Sequence, residues 1–202
     1  MRYKLAIAAA TLGASALLAG CGGDDSQSPP TGSSSSQSSA FNSADVEFAQ
    51  QMIPHHRQAV MMADLVESHT FDERVKSLAT DIEAAQGPEI KVMTGWLEDW
   101  GEPVTPDMED MEGMEGMDHG SGDMDSMPGM MSDQQMSRLE GLAGPKFDRA
   151  FLTMMIAHHR GAIEMAQAEQ QNGKFAAAID LADQIAKSQS QEIQTMKSIL
   201  GS

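Results

Sequence analysis

In the second half of the chain, Phe147, Phe151, Met154, Met155, His158, Ala162 and Met165 recur at three- and four-residue steps. Ile179, Ala182, Ile185, Gln189, Ile193 and Met196 do the same further on. That spacing places each set on one helix face, and Asn172-Gly173 marks the break between the two helices. The first half repeats the plan. Residues 45–63 match 148–166 without a gap, at a constant offset of 103. The same offset pairs Leu78, Ala79, Ile82, Gln86, Glu89, Ile90, Met93 and Leu97 with Leu181, Ala182, Ile185, Gln189, Glu192, Ile193, Met196 and Leu200. Here the break falls near residues 68–72. Pro54 and Gly87-Pro88 predict bends or fresh starts, because proline removes an N–H and clashes with the preceding turn. The matching Ser190-Gln191 favours a tolerated kink at Pro88. Val, Ile, Tyr and Thr never alternate in a run, so strands are not predicted. Two hairpins with one apolar face each can bury those faces only against each other. The expected architecture is all-α, a four-helix bundle built from two repeated helical hairpins.

The ends add a location. Arg2 and Lys4 precede an uncharged apolar stretch that closes in Leu18-Ala19-Gly20-Cys21. This reads as a lipoprotein signal peptide over residues 1–20 with lipid carried on Cys21, since a membrane span needs about 20 apolar residues. Cys21 is the single cysteine, so lipidation leaves no thiol for a disulfide or a thiolate metal site. Residues 21–43 are a Ser/Gly/Pro-rich tether. The hairpins occupy 44–100 and 137–202. The formal charge of −17 argues against nucleic acid as a partner, favours cations, and leaves any protein partner undetermined.

Half of the 18 methionines fall in the segment 101–136, a flexible insertion rich in Met, Asp, Glu and Gly. Its acid and glycine density predicts no packed core, so Met108, Met111, Met114, Met117, Met124, Met127, Met130 and Met131 call for another explanation. Thioethers are soft ligands that need no deprotonation and select Cu(I) and Ag(I); His119 adds a nitrogen that also suits Cu(II).

His55-His56 and His158-His159 form the second unusual feature. Adjacent helical residues point about 100° apart, so partners must come from helical spacing. Met52 and Met155 lie four residues before His56 and His159; Met62 and Met165 lie seven after His55 and His158. Gln86, Glu89, Gln189 and Glu192 on the second helices could converge on the histidines. Two readings stay open. One is a buried hydrogen-bond network that fixes helix register; the other is direct metal ligation by the His/Met positions. A carboxylate-bridged oxidase is disfavoured because no Glu-x-x-His occurs, and no nucleophile or phosphate loop stands out.

The doubled Met-Ile-Pro/Ala-His-His-Arg-x-Ala motif, at 52–59 and 155–162, and the downstream Gln-x-x-Glu-Ile-x-x-Met segments resemble the exported bacterial domain-of-unknown-function family 305. The resemblance covers roughly residues 43–200 outside the Met-rich segment. It implies a ferritin-like bundle and, for some members, periplasmic copper binding and resistance through Met and His. Ala157 stands where the motif usually has proline, which is expected to straighten that helix. The expected function is therefore a non-enzymatic, copper-binding lipoprotein of the bacterial cell envelope, with no metal needed for folding. The alternative is a structural or interaction module. Replacing Cys21→Ser is expected to abolish incorporation of labelled fatty acid and move the protein from the membrane to the soluble fraction on cell fractionation.

Overall fold

The computed structural model describes residues 40–104 and 127–201. Helix α1 (Ser43–Asp64) opens at Asn42. The Asn42 side chain accepts from the backbone N–H groups of Ala44 at 2.8 Å and Asp45 at 3.2 Å, and Asp45 accepts in return from the Asn42 N–H at 2.5 Å. This reciprocal cap satisfies N–H groups that a helix start leaves without partners. A single turn, α2 (Val66–His69), leads to Asp72, which caps α3 (Glu73–Trp100) by accepting from the Arg74 N–H. Helix α3 stops at Gly101, whose φ of 72° lies in the left-handed region that glycine enters without strain. Helix α4 (Asp133–Glu140) precedes α5 (Pro145–Asn172), where Pro145 occupies the first turn and its missing N–H costs nothing. Helix α6 (Ala176–Leu200) completes the described chain, and no strand occurs among the described residues. Pro54 and Pro88 both lie inside continuous helices, so neither starts a new one. Apolar anchors on both sides of each proline hold the helix through it.

Helix α1 packs on α3, α5 packs on α6, and the two hairpins meet chiefly through α1 and α5. The core divides into two apolar clusters, and all four long helices pass from one to the other. Met52 and Ile53 of α1, Met93 and Leu97 of α3, Ala162 and Met165 of α5, and Ala182 and Ile185 of α6 share one cluster. Ala59 and Met62, Leu78 and Ile82, Phe151 and Met155, and Ile193 and Met196 share the second. Polar residues occupy the level between them.

The insertion is shorter than expected. Its assigned end at residue 136 falls inside α4, and residues 127–131 pack on the bundle. Met131 is 7% exposed and belongs to the second apolar cluster, with Met136 packed against it. The expectation that none of the segment's methionines is a core residue therefore fails at Met131. Composition averaged over the whole segment conceals its ordered C-terminal end.

At the opposite end of the bundle α6 has no side-chain cap of its own. Asp45 of α1 serves instead, accepting from the Lys174 and Phe175 N–H groups at 2.9 Å each. Burial works against the Asp45 charge. Hydrogen bonds from the backbone of Phe175, Asn42 and Lys174 outweigh it and keep the carboxyl below its usual range. Glu169 lies beside it, tucked over Gly173, where a Cβ would stand 2.2 Å from the carboxyl oxygen. Burial, then the neighbouring Asp45 carboxylate, push Glu169 up to about 8. The folded protein thus holds a proton that the unfolded chain releases above pH 4.5. This contribution to stability is complete below that pH and is lost as pH rises towards 8. Urea-denaturation midpoints measured from pH 5 to 8 are expected to show this decline in the native sequence and a flatter profile in Glu169→Gln.

Candidate metal centre

The level between the clusters is built from two helical turns that repeat across the pseudo-twofold. Helix α1 brings His55 and His56, and α3 brings Gln86 and Glu89. Helix α5 brings His158 and His159, and α6 brings Gln189 and Glu192. All four imidazoles are fully buried, at 0% exposure. Adjacent histidines can both be buried because α1 lies between two neighbours. His56 turns to α3 and meets Glu89 at 2.7 Å; His55 turns to α5, where its ring lies on His158 with centroids 3.7 Å apart and planes tilted by 37°. In the second hairpin His159 reaches Glu192 on α6 at 2.5 Å. The expected cluster therefore takes the form of a central His–His contact flanked by two His–Glu pairs. Among the described residues no three His, Cys, Asp or Glu side chains gather into a ready metal-ligand group.

Carboxylates and carbonyls accept hydrogen bonds, so the partnered ring nitrogens must donate. The Nε2–H of His56 and of His159 donates to Glu89 and Glu192, and the Nε2–H of His55 donates to the Pro128 carbonyl at 3.1 Å. The Nδ1 atoms of these three histidines are then buried without a hydrogen-bond partner, as are both ring nitrogens of His158. Burial, followed by the neighbouring His56, pushes His55 down to about 3, against the hydrogen bond to Pro128. Burial, then the charges that His55, His159 and His56 would carry, hold His158 well below its usual range, opposed only by a backbone contact to His55. Both rings of the central pair are neutral at pH 7, and each keeps a lone pair with nothing to receive. An unmet buried polar atom costs about 1–3 kcal/mol, yet this layer contains a row of them. Neutral imidazoles are metal ligands, and an acceptor on the far N–H is the arrangement that orients a ligating histidine. The donor set fits a soft or borderline cation.

The methionines separate into three groups. Met52 and Met165 lie in one apolar cluster beside the histidine level, and Met62 and Met155 lie in the other, all at most 7% exposed. Met108, Met111, Met114, Met117, His119 and Met124 lie outside the described residues. Met127 and Met130 are half-buried and, with Met131, form a strap across α1 and α5. Sequence reasoning overlooked the strap's holders. Gln58 donates to the Met131 carbonyl and accepts from its N–H, both at 2.7 Å. Gly161 makes room for Pro128, whose oxygen would lie 1.8 Å from a Cβ there. A signal existed: Gln58 and Gly161 occupy the same repeat position, and they break the match inside His-His-Arg-x-Ala. On the far side of the molecule, α3 and α6 leave a groove of about 910 Å³ lined by Asp81, Ser188 and Glu192, among others.

A duplicated four-helix bundle with a buried histidine layer defines the class. The profile of the family described as domain of unknown function (DUF305) matches residues 45–200, and the chain belongs to that family. The crystal structure of a DUF305 protein from Streptomyces coelicolor is 34% identical and superposes with a TM-score of 0.67 over 78% of this chain and 91% of the other. CopM in its Cu(I)-bound form is 30% identical, with a TM-score of 0.59 over 76% of this chain and 93% of CopM; Cu(II)-bound and Ag-bound forms of CopM are also similar. An uncharacterised protein of Acanthamoeba polyphaga mimivirus is 40% identical over 55 residues, and the chain spans only 36% of that protein's length. The fold is the ferritin-like bundle of this family.

Since neither ring nitrogen of His158 has a partner, His158→Leu is expected to stabilise the metal-free protein by about 1 kcal/mol, because a buried unmet polar group is removed. Thermal or urea denaturation of the metal-free protein checks this.

Proposed function

We propose that this chain is a metal-binding protein of the bacterial cell envelope that sequesters copper, with Cu(I) favoured and Ag(I) and Cu(II) as further guests. The observation that carries the proposal is the neutral His55–His158 pair. Its lone pairs are buried without partners between two histidines held by carboxylates. CopM, a structural relative at 30% identity, is a protein with Cu(I)-bound, Cu(II)-bound and silver-bound structures. The Met-rich segment supplies the soft ligands that select the same ions. In this reading the histidine layer is the tight site and Met108, Met111, Met114, Met117, His119 and Met124 add capacity. The protein binds rather than catalyses, and lipid on Cys21 holds it at a membrane. No helix among the described residues is long and apolar enough to cross one.

The His56–Glu89 and His159–Glu192 bonds favour a second reading, in which the layer serves as a hydrogen-bonded register device. A Cu(I) competition titration with a chromogenic chelator separates the two. It compares the chain from residue 22, the same chain lacking residues 107–126, and a variant with His55, His56, His158 and His159 all replaced by Ala. The deletion stops short of the strap. Copper sequestration predicts that the deletion lowers the number of ions held but keeps a tight site, which the histidine variant loses. If the native chain fails to compete with the chelator, the copper reading is wrong and the scaffold reading replaces it.

A further inference from the structure

The strap is seated by four independent contacts. Gly129 has φ 80°, and a Cβ on it would lie 2.7 Å from the Ala157 carbonyl oxygen and 2.9 Å from that of His158. The Pro128 carbonyl sits where a side chain at position 161 would stand, and it accepts from His55 Nε2. Gln58 grips both polar atoms of the Met131 backbone. Positions 58 and 161 are equivalent in the repeat, so the strap crosses the pseudo-twofold and is held from both sides. One copy of the repeat supplies a clamp and the other a vacant space. The strap thus touches the side chain of one member of the central histidine pair and the backbone of the other.

The consequence for His55 is chemical. Glu89 and Glu192 fix His56 and His159 by accepting from Nε2–H; no carboxylate does this for His55, and the Pro128 carbonyl takes the same role. A neutral imidazole carries one N–H, so donation from Nε2 commits Nδ1 to the lone pair. We propose that the 127–131 strap is a clasp for the His55–His158 pair. Its Pro128 carbonyl selects the His55 tautomer that leaves the lone pair on Nδ1, its seat on Gln58 and Gly161 holds the central pair in place for a soft monovalent ion, and its lifting sets the rate of metal release. Pro128, Gly161 and Gln58 are then positioning residues. This rests on the copper and silver reading above. The clasp is also the C-terminal end of the Met-rich segment.

Two variants loosen the strap without altering an imidazole: Gly161→Ala, whose new methyl displaces the Pro128 carbonyl, and Gln58→Ala, which removes the Met131 clamp. The chain from residue 22, with ¹⁵N-labelled histidine, is compared in its native form and in both variants. In the metal-free native chain, the His55 ring nitrogens are expected to show a single Nε2–H tautomer by NMR, and each variant should show a mixture. After loading with Ag(I), transfer to excess thiol chelator should be at least about tenfold faster in each variant, the usual scale for losing a partner that orients a ligating histidine. Helical circular dichroism and the melting temperature establish that each variant is folded; should Gly161→Ala fail to fold, Gln58→Ala carries the test. An unchanged tautomer, or Ag(I) release at the native rate from a folded variant, overturns the clasp. If the native chain takes up no Ag(I), the metal reading falls, and the tautomer of the metal-free protein still decides whether the strap sets the His55 ring.

Discussion

Four imidazoles in the middle of a helical bundle impose a constraint that the rest of the fold answers. Each has two ring nitrogens, and all four rings are fully buried from solvent. Partners must come from neighbouring segments of the chain at one level. That requirement explains why all four long helices change apolar cluster at the same height, and why a glutamate recurs on α3 and α6 opposite His-His on α1 and α5. It also fixes the relation of the hairpins, since the contact between His55 and His158 requires α1 and α5 to meet at the histidines themselves. A slide by one turn would put imidazoles into apolar clusters and leave Glu89 and Glu192 without their partners, at a cost of several unmet buried polar groups.

The layer is not fully satisfied, and where it fails is informative. The nitrogens nearest the bundle's flanks have carboxylates; those of the central pair have one carbonyl among them. A register device would be served best by complete pairing. A ligand set needs the reverse: one nitrogen fixed by an acceptor, the other free for a cation. Desolvation supports the same conclusion, because it keeps His55 and His158 neutral and so ready to bind metal without first losing a proton. The surrounding methionines, buried in the two clusters, give the layer a soft, apolar environment.

Much of this was legible in the sequence. The offset of 103 marked the duplication, the helical stripes marked the faces, and the paired spacing of His-His and Gln-x-x-Glu placed their partnership on facing helices. The direct contact of His55 with His158 was not legible, because it depends on the crossing of two helices far apart in the chain. Nor was the strap, whose five residues share the composition of a low-complexity segment while two of their neighbours, Gln58 and Gly161, carry the specificity. The methionines at 52, 62, 155 and 165 remained ambiguous for a physical reason. Core filling and metal ligation use the same thioether at the same helical spacing.

The proposed account is that copper is held by imidazole nitrogen inside the bundle, with the Met-rich segment adding capacity outside it. X-ray absorption at the copper edge, on the Cu(I)-loaded chain lacking residues 107–126, tests this most directly. The account predicts a retained ion with imidazole scattering in its first coordination sphere, which disappears when His55 and His158 are replaced together. A chain that retains no Cu(I) once the segment is gone, or that shows a sphere of sulfur alone, would contradict it and leave the histidine layer as scaffold.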